Sequence, residues 1–275
     1  MEEDKLMPMT SIASGVSQEL APDVSYLCTQ IVNLCFYGSP AEASEYVIID
    51  TGMPKSFEKI MEEAKSRFGD GSRPKAVILT HGHFDHVGAV EETVAAYGVP
   101  VYAHELELPY LTGQQSYPPA SPEVGGMVAQ LSPAFPRDPI QLGENVRPLP
   151  ADGSVPDMPG WRWIHTPGHS PGHVSLFRDA DKLLIAGDAF VTVKQESLYK
   201  VVTQKQEISG PPKYFTPDWD AARTSVEKLA ALKPAAAITG HGFPMSGEEL
   251  TESLARLVRD FDTIAVPEQG RYVNE

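Results

Sequence analysis

His81-Gly82-His83-Phe84-Asp85-His86 places three imidazoles and a carboxylate within six residues. Such nitrogen and oxygen donors suit zinc, and they also accept iron or manganese. Gly82 removes bulk between the first two histidines, where two ligands have to converge. Three shorter motifs follow far along the chain: Thr166-Pro167-Gly168-His169, Ala186-Gly187-Asp188 and Thr239-Gly240-His241-Gly242. Together they supply five histidines and two aspartates. That exceeds the four ligands of a structural zinc. It suits two ions sharing a carboxylate, an arrangement that brings the pKa of a shared water down toward ~7. Hydroxide made in this way at neutral pH would attack an acyl or phosphoryl centre. Asp85 would orient the nucleophile and receive its proton.

The elements that position these residues alternate in type. Residues 24–38 are rich in β-formers and read as one or two strands; residues 45–50 (EYVIID) and 76–80 (AVILT) read as buried strands. Phe57, Ile60, Met61, Ala64 and Phe68 recur at helical spacing, with Pro54 before them and Gly69 after. A second helix runs to Tyr97 and closes at Gly98; residues 99–103 form the next strand. This β–α–β–α–β order predicts an α/β layered fold. Ligand sites in such folds gather at the carboxyl ends of strands, where the histidine-rich turn lies. Further strands are expected over 146–149, 161–165, 174–178, 183–186 and 235–239. Helices are expected from Thr216-Pro217 and, through a capping box from Ser246 to Glu249, from Leu250 to Phe261.

Residues 105–145 break the alternation, with seven prolines from Pro109 to Pro139. Long irregular insertions are more often functional than idle, so this one is expected to be a lid or pocket wall. A helix inside it is expected to start at Ser121-Pro122 and to present Val124, Met127, Val128 and Leu131 on one face. Residues 190–215 form a second pocket loop. The two loops offer Tyr110, Tyr117, Met127 and Phe135, and Phe190, Tyr199 and Tyr214, for an apolar pocket, with Phe243 beside them. Lys194 and Lys200 are candidates for a substrate carboxylate. Residues 1–22 read as a flexible leader and residues 23–275 as a single domain, with no repeat and no linker.

Composition excludes several classes. The 275 residues carry 22 Lys+Arg against 37 Asp+Glu, a net charge of −15. A chain this acidic lacks the basic face that nucleic acid needs and repels an anionic membrane. No apolar run reaches the ~18 residues of a membrane span, and the acidic N-terminus lacks a secretory signal. A cytoplasmic protein acting on a small molecule is expected, with its oligomeric state open. Cys28 and Cys35 read as buried apolar residues of a reducing compartment. His104, His165 and His173 are assigned structural or supporting roles.

The ordered set H-x-H-x-D-H, His169, Asp188 and His241, with Asp50 ahead of it, spans most of the chain. It resembles the metallo-β-lactamase-fold hydrolase superfamily. The resemblance implies a four-layer αββα sandwich with two divalent metal ions, zinc by default, at one edge. Carried over by position, His81, His83 and His169 would hold one ion. Asp85, His86 and His241 would hold the other, and Asp188 would bridge them. Asp50 in IIDTG would support a ligand from behind. The implied reaction is attack of a bridging hydroxide on an ester, lactone or thioester-like substrate. Lactonases of the family carry a tyrosine soon after the bridging aspartate, whereas Phe190, Val191 and Thr192 follow Asp188 here. Two other readings are a single-iron oxidoreductase like the persulfide dioxygenases and a non-catalytic metal-binding scaffold.

Overall fold

Residues 10–40 and 44–273 are described in a computed structural model. A seven-stranded sheet follows chain order: β1 (Ser17–Ala21), β2 (Val24–Thr29), β3 (Val32–Tyr37), β4 (Glu45–Ile49), β5 (Arg73–Ile78), β6 (Val101–Ala103) and β7 (Val146–Pro148). Pairing is antiparallel from β1 to β4 and parallel from β4 to β7. Parallel neighbours need a crossover. α1 (Phe57–Phe68) and α2 (Val90–Tyr97) supply the first two. The third is the proline-rich stretch, with α3 (Leu108–Leu111) and α4 (Met127–Leu131).

The second sheet contains β8 (Trp161–His165), β9 (Val174–Arg178) and β10 (Leu183–Ile185). The chain then makes a separate two-stranded ribbon from β11 (Val191–Val193) and β12 (Gln206–Ser209), with α5 (Leu198–Thr203) between them. It passes through α6 (Trp219–Ala231) and returns to the second sheet as β13 (Ala236–Ile238) and β14 (Met245–Ser246). The order in that sheet is β14-β13-β10-β9-β8. α7 (Gly247–Arg259) and α8 (Phe261–Ile264) finish the fold.

Two-residue periodicity stacks these pieces into four layers. Along β3 to β5, Leu34, Phe36, Tyr46, Ile48 and Val77 pack with Ile60, Ala64 and Phe68 of α1. The alternate residues Cys35, Val47, Ile49, Ala76 and Ile78 face the other way and meet Val174, Leu176, Leu183, Ile185 and Ile238 of the second sheet. The far face of that sheet is covered by Ala222, Val226 and Leu229 of α6 and by Leu250, Leu254 and Leu257 of α7. Each fully buried aliphatic or aromatic side chain contributes about 1.5–3 kcal/mol. The result is the expected αββα sandwich.

Three local expectations need correction. Residues 1–9 of the expected leader lie outside the described residues, but its later part is no leader: Ser17–Ala21 pairs with β2 as an edge strand. The helix expected from Ser121 is split. A short 3-10 turn at Pro122–Val124 ends at Gly125 and Gly126, with φ of 84° and 94°, before α4 begins. A Cβ on Gly126 would fall 2.3 Å from the Glu196 carbonyl oxygen, so the glycine pair lets two loops pass. Ser246, the last residue of β14, makes no side-chain capping hydrogen bond. Cys28 and Cys35 lie on adjacent strands but face Asn33 and Tyr26 respectively, and both are free and buried. Among the described residues, no helix is long and apolar enough to cross a membrane.

Candidate metal centre

β5 ends at Ile78, and the chain bends at once into His81, His83, Asp85 and His86. In the second sheet β10 and β13 run parallel, and β8, antiparallel to β9, shares their direction. Their carboxyl ends therefore deliver His169, Asp188 and His241 to one edge. A hydrogen bond from the Val174 N–H to the Thr80 carbonyl (2.9 Å) ties that edge to the end of β5. All seven residues are buried, with Asp85 the most accessible at 9%.

Donor atoms converge in three groups: His81, His83 and His169; His81, His86 and Asp188; Asp85, His86 and His241. The first and third coincide with the two ligand triads expected from the sequence. Asp188 faces both. Its Oδ2 is 3.5 Å from His169 Nε2 and 3.3 Å from His241 Nε2, and its Oδ1 is 3.7 Å from His86 Nε2. Asp85 Oδ2 is 3.5 Å from His241 Nε2.

The surrounding hydrogen bonds fix which nitrogen faces inward. Thr80 donates its N–H and hydroxyl to Asp50 Oδ1 and Oδ2 (2.7 Å each). Its oxygen is then left to accept from His81 Nδ1 (3.1 Å). His86 Nδ1 donates to Asp50 Oδ2 (2.8 Å), and His241 Nδ1 to the Ile31 carbonyl (2.9 Å). Thr216 spends its hydroxyl proton on the Pro212 carbonyl and can accept from His169 Nδ1 (3.3 Å). Four imidazoles thus turn Nε2 toward the common space. His83 approaches through Nδ1, which lies 2.9 Å from His169 Nε2. Asp50 reaches its place with φ +60°, rare for a non-glycine residue. It hydrogen-bonds His86 from the side away from the common space.

His173 has a supporting role. Its Nε2 accepts the backbone N–H of Asp188 (2.9 Å), so its proton sits on Nδ1, toward Thr166 Oγ1 (2.9 Å). His104 and His165 stack on each other at 4.2 Å, away from the donor cluster.

Electrostatics separates the donors. Burial, reinforced by neighbouring imidazoles, holds His81 and His169 well below the usual histidine range and lowers His83 to about 3. Burial would lower His86 and His241 too, but Asp188, together with Asp50 or Asp85, lifts both above it. Asp188 is held down by His241 and His86 against the opposing effect of burial. Burial raises Asp85. His81 Nε2, His86 Nε2 and Asp188 Oδ1 have no hydrogen-bond partner. Buried polar atoms left unpaired cost about 1–3 kcal/mol each. A cation among these lone pairs would satisfy them all, so the donor set fits divalent metal.

The space over the cluster is small, about 10 Å³, and lies against His83 and His169. Tyr117, Phe215, four prolines of neighbouring loops and Tyr272 enclose it. The Tyr117 ring is centred 4.3 Å from that of His83, and Phe215 lies 4.9 Å from it on another side. Of the aromatic candidates, Tyr117 reaches this space, and Tyr214 packs behind it against Phe215. Phe190 is buried under α6, while Met127, Tyr199 and Lys194 line a separate groove that touches no ligand residue. Lys200 pairs with Glu207. Phe215, Tyr272 and Glu107 were not among the sequence candidates. Glu107 is fully buried beneath the His81–His83 turn, at the start of the irregular insertion.

Comparison with known proteins agrees with this geometry. The model of the metallo-beta-lactamase superfamily matches residues 41–241. A probable metallo-hydrolase of Bacillus subtilis (strain 168), YflN, is 52% identical over 262 residues, covering 95% of this chain and 99% of the relative. Among solved structures, TTHA1623 in a di-iron-bound form is 26% identical with a TM-score of 0.52, covering 89% of this chain and 97% of that one. BJP-1, a subclass B3 metallo-beta-lactamase of Bradyrhizobium japonicum, has a TM-score of 0.58 at 21% identity, covering 91% and 94%. At that identity the likeness is one of fold.

Proposed function

As a member of the metallo-β-lactamase superfamily, the chain is a metallo-hydrolase, and we propose that it works with two divalent cations on a neutral ester, lactone or thioester. One observation carries this reading: Asp188 stands within 3.3–3.7 Å of imidazoles from both expected ligand triads, the position of a shared ligand. His81, His83 and His169 would hold one ion, and Asp85, His86 and His241 the other. Two such ions, when bound, would supply hydroxide at neutral pH and polarise the scissile oxygen.

The chain's own groups do the rest. Asp85 is the most accessible of the ligands, which suits its Oδ2 to meet the attacking water and take its proton. Hydrogen bonds to Asp50, Thr80, the Ile31 carbonyl and Thr216 hold four of the imidazoles with Nε2 turned inward. Tyr117, Phe215 and the prolines exclude water. They place no charge beside the space, which supports an uncharged acyl group over a phosphodiester.

Zinc is the proposed occupant, and iron is the alternative raised by the di-iron-bound neighbour. Metal analysis of the purified protein, with a panel of lactones, thioesters, β-lactams and phosphodiesters, tests the reading. Two metal equivalents and turnover of one of the first two classes are expected. One iron per chain with oxygen uptake would replace it by a single-iron oxidoreductase.

A further inference from the structure

Glu107 lies outside every ligand motif, yet its carboxylate collects four donors from three parts of the chain. Oε1 accepts the Ser170 hydroxyl and the Gly172 N–H, both at 2.7 Å. Oε2 accepts the Gly82 N–H at 3.0 Å and the Tyr117 hydroxyl. Gly82 sits between the ligands His81 and His83, and Ser170 follows the ligand His169. One side chain therefore joins the two turns that carry the whole of the first ligand triad. It also joins them to Tyr117, whose ring covers His83.

Both turns are built to admit it. A Cβ on Gly172 would lie 2.9 Å from Glu107 Oε1 and 2.8 Å from its Cγ. A Cβ on Gly82 would lie 2.6 Å from the Tyr117 hydroxyl. Glycine at these two places allows the clasp to close. Burial raises the affinity of Glu107 for protons, and the four donors oppose this.

We propose that Glu107 is a positioning residue for the metal centre, clasping the His81–His83 turn to the His169 turn so that the three imidazoles present one preformed site. The proposal rests on the metal-centre reading above. Its chemistry is selective for a carboxylate. Glutamine has the same shape but only one accepting oxygen. Whichever way its amide faces, the NH2 meets a backbone N–H, of Gly172 or of Gly82, that cannot rotate to accept. Hydroxyls can adapt; those two N–H groups cannot.

The test is Co2+ titration of the metal-free wild type, Glu107→Gln, Glu107→Asp and Tyr117→Phe, read by the visible absorption of bound cobalt and by thermal melting of the metal-free proteins. Partners behind metal ligands typically govern about 10–100-fold in affinity. Glu107→Gln is expected to weaken cobalt binding by that factor and to change the band shape, with Glu107→Asp recovering part of the loss. Tyr117→Phe keeps both backbone contacts and is expected to lose less than about 10-fold, so it carries the test if Glu107→Gln does not fold: an unchanged cobalt spectrum and affinity in Tyr117→Phe would then count against the clasp. A Glu107→Gln protein that melts earlier but titrates like wild type would overturn the proposal and leave Glu107 a purely structural carboxylate. Wild type that binds no cobalt would sink the metal-centre reading and the proposal with it.

Discussion

The two sheets fill the same edge in opposite ways. The first delivers four candidate ligands from one turn after β5, within six residues. The second delivers three, one from each of the loops after β8, β10 and β13. A single turn carries its own register, since the chain fixes the spacing. Three separate loops have to be registered against each other, and the hydrogen bonds that do so are visible. The Gly240 N–H donates to the Gly187 carbonyl (2.8 Å), and the Asp188 N–H donates to His173. The β2–β3 hairpin of the opposite sheet reaches across. The Asn33 amide donates to the Thr239 and Gly242 carbonyls (3.0 and 2.7 Å), and Ile31 accepts from His241. The ligands of the second sheet are therefore positioned partly by the first.

That contrast can be tested by substitutions. The largest effect is expected from Asp188→Asn, which removes the carboxylate facing both triads. Activity should fall by more than ~100-fold, beyond what a supporting residue costs, with loss of metal from both sites on elemental analysis. Retention of both metals would separate the two halves. Asp50→Asn comes next. It weakens the support of His86 and breaks the pairing with Thr80, and a loss of about 10–100-fold in metal affinity is expected by titration. Asn33→Ala should cost about 1–3 kcal/mol in denaturant unfolding through the carbonyls it leaves unpaired. It should loosen the second metal while sparing the first; equal loss from both would show that the hairpin does not act through His241.

A smaller effect links the halves through acid. His83 of the turn and His173 of the second sheet are both held at about 3 by burial, against ~6.5 in an unfolded chain. Between these values the unfolded chain binds more protons, so the chelated protein should lose stability as pH falls from ~6.5 toward 3. Replacing either histidine by asparagine should flatten that slope by about one proton, measured by denaturation across pH. The smallest effect concerns the thiols. Burial raises Cys28 to about 11 and raises Cys35 further, so neither should react with a disulfide reagent at pH 8 until the chain unfolds.

The same contrast explains what was legible in the sequence. His81, His83, Asp85 and His86 announce themselves by crowding. His169, Asp188 and His241 are visible only as an ordered set, each after an apolar run. The layers followed from alternation in β3 to β5, where both faces are buried and the pattern is strong. β1 escaped because none of Ser17–Ala21 is fully buried, so pairing alone makes it a strand. Glu107 escaped for a different reason. Its four partners come from residues 82, 117, 170 and 172, and no local pattern in a stretch with two glutamates and a proline marks the one that is buried. The proline-rich insertion was read as a lid or wall. Through Tyr117 and Glu107 it is bonded to the Gly82 N–H of the histidine turn.

Tyr272 has a practical consequence. It stands at the opening over His83 and His169, its hydroxyl on the Pro119 carbonyl, with the Arg271 N–H on Ser121 Oγ (2.9 Å) and Gln269 on the Glu123 carbonyl. Any group attached close to Tyr272 would stand beside that opening. A polyhistidine handle placed there would set six more imidazoles at the mouth of a site that selects for imidazole-bound metal. Stoichiometry and turnover are therefore best measured on protein whose handle sits elsewhere or has been cut away.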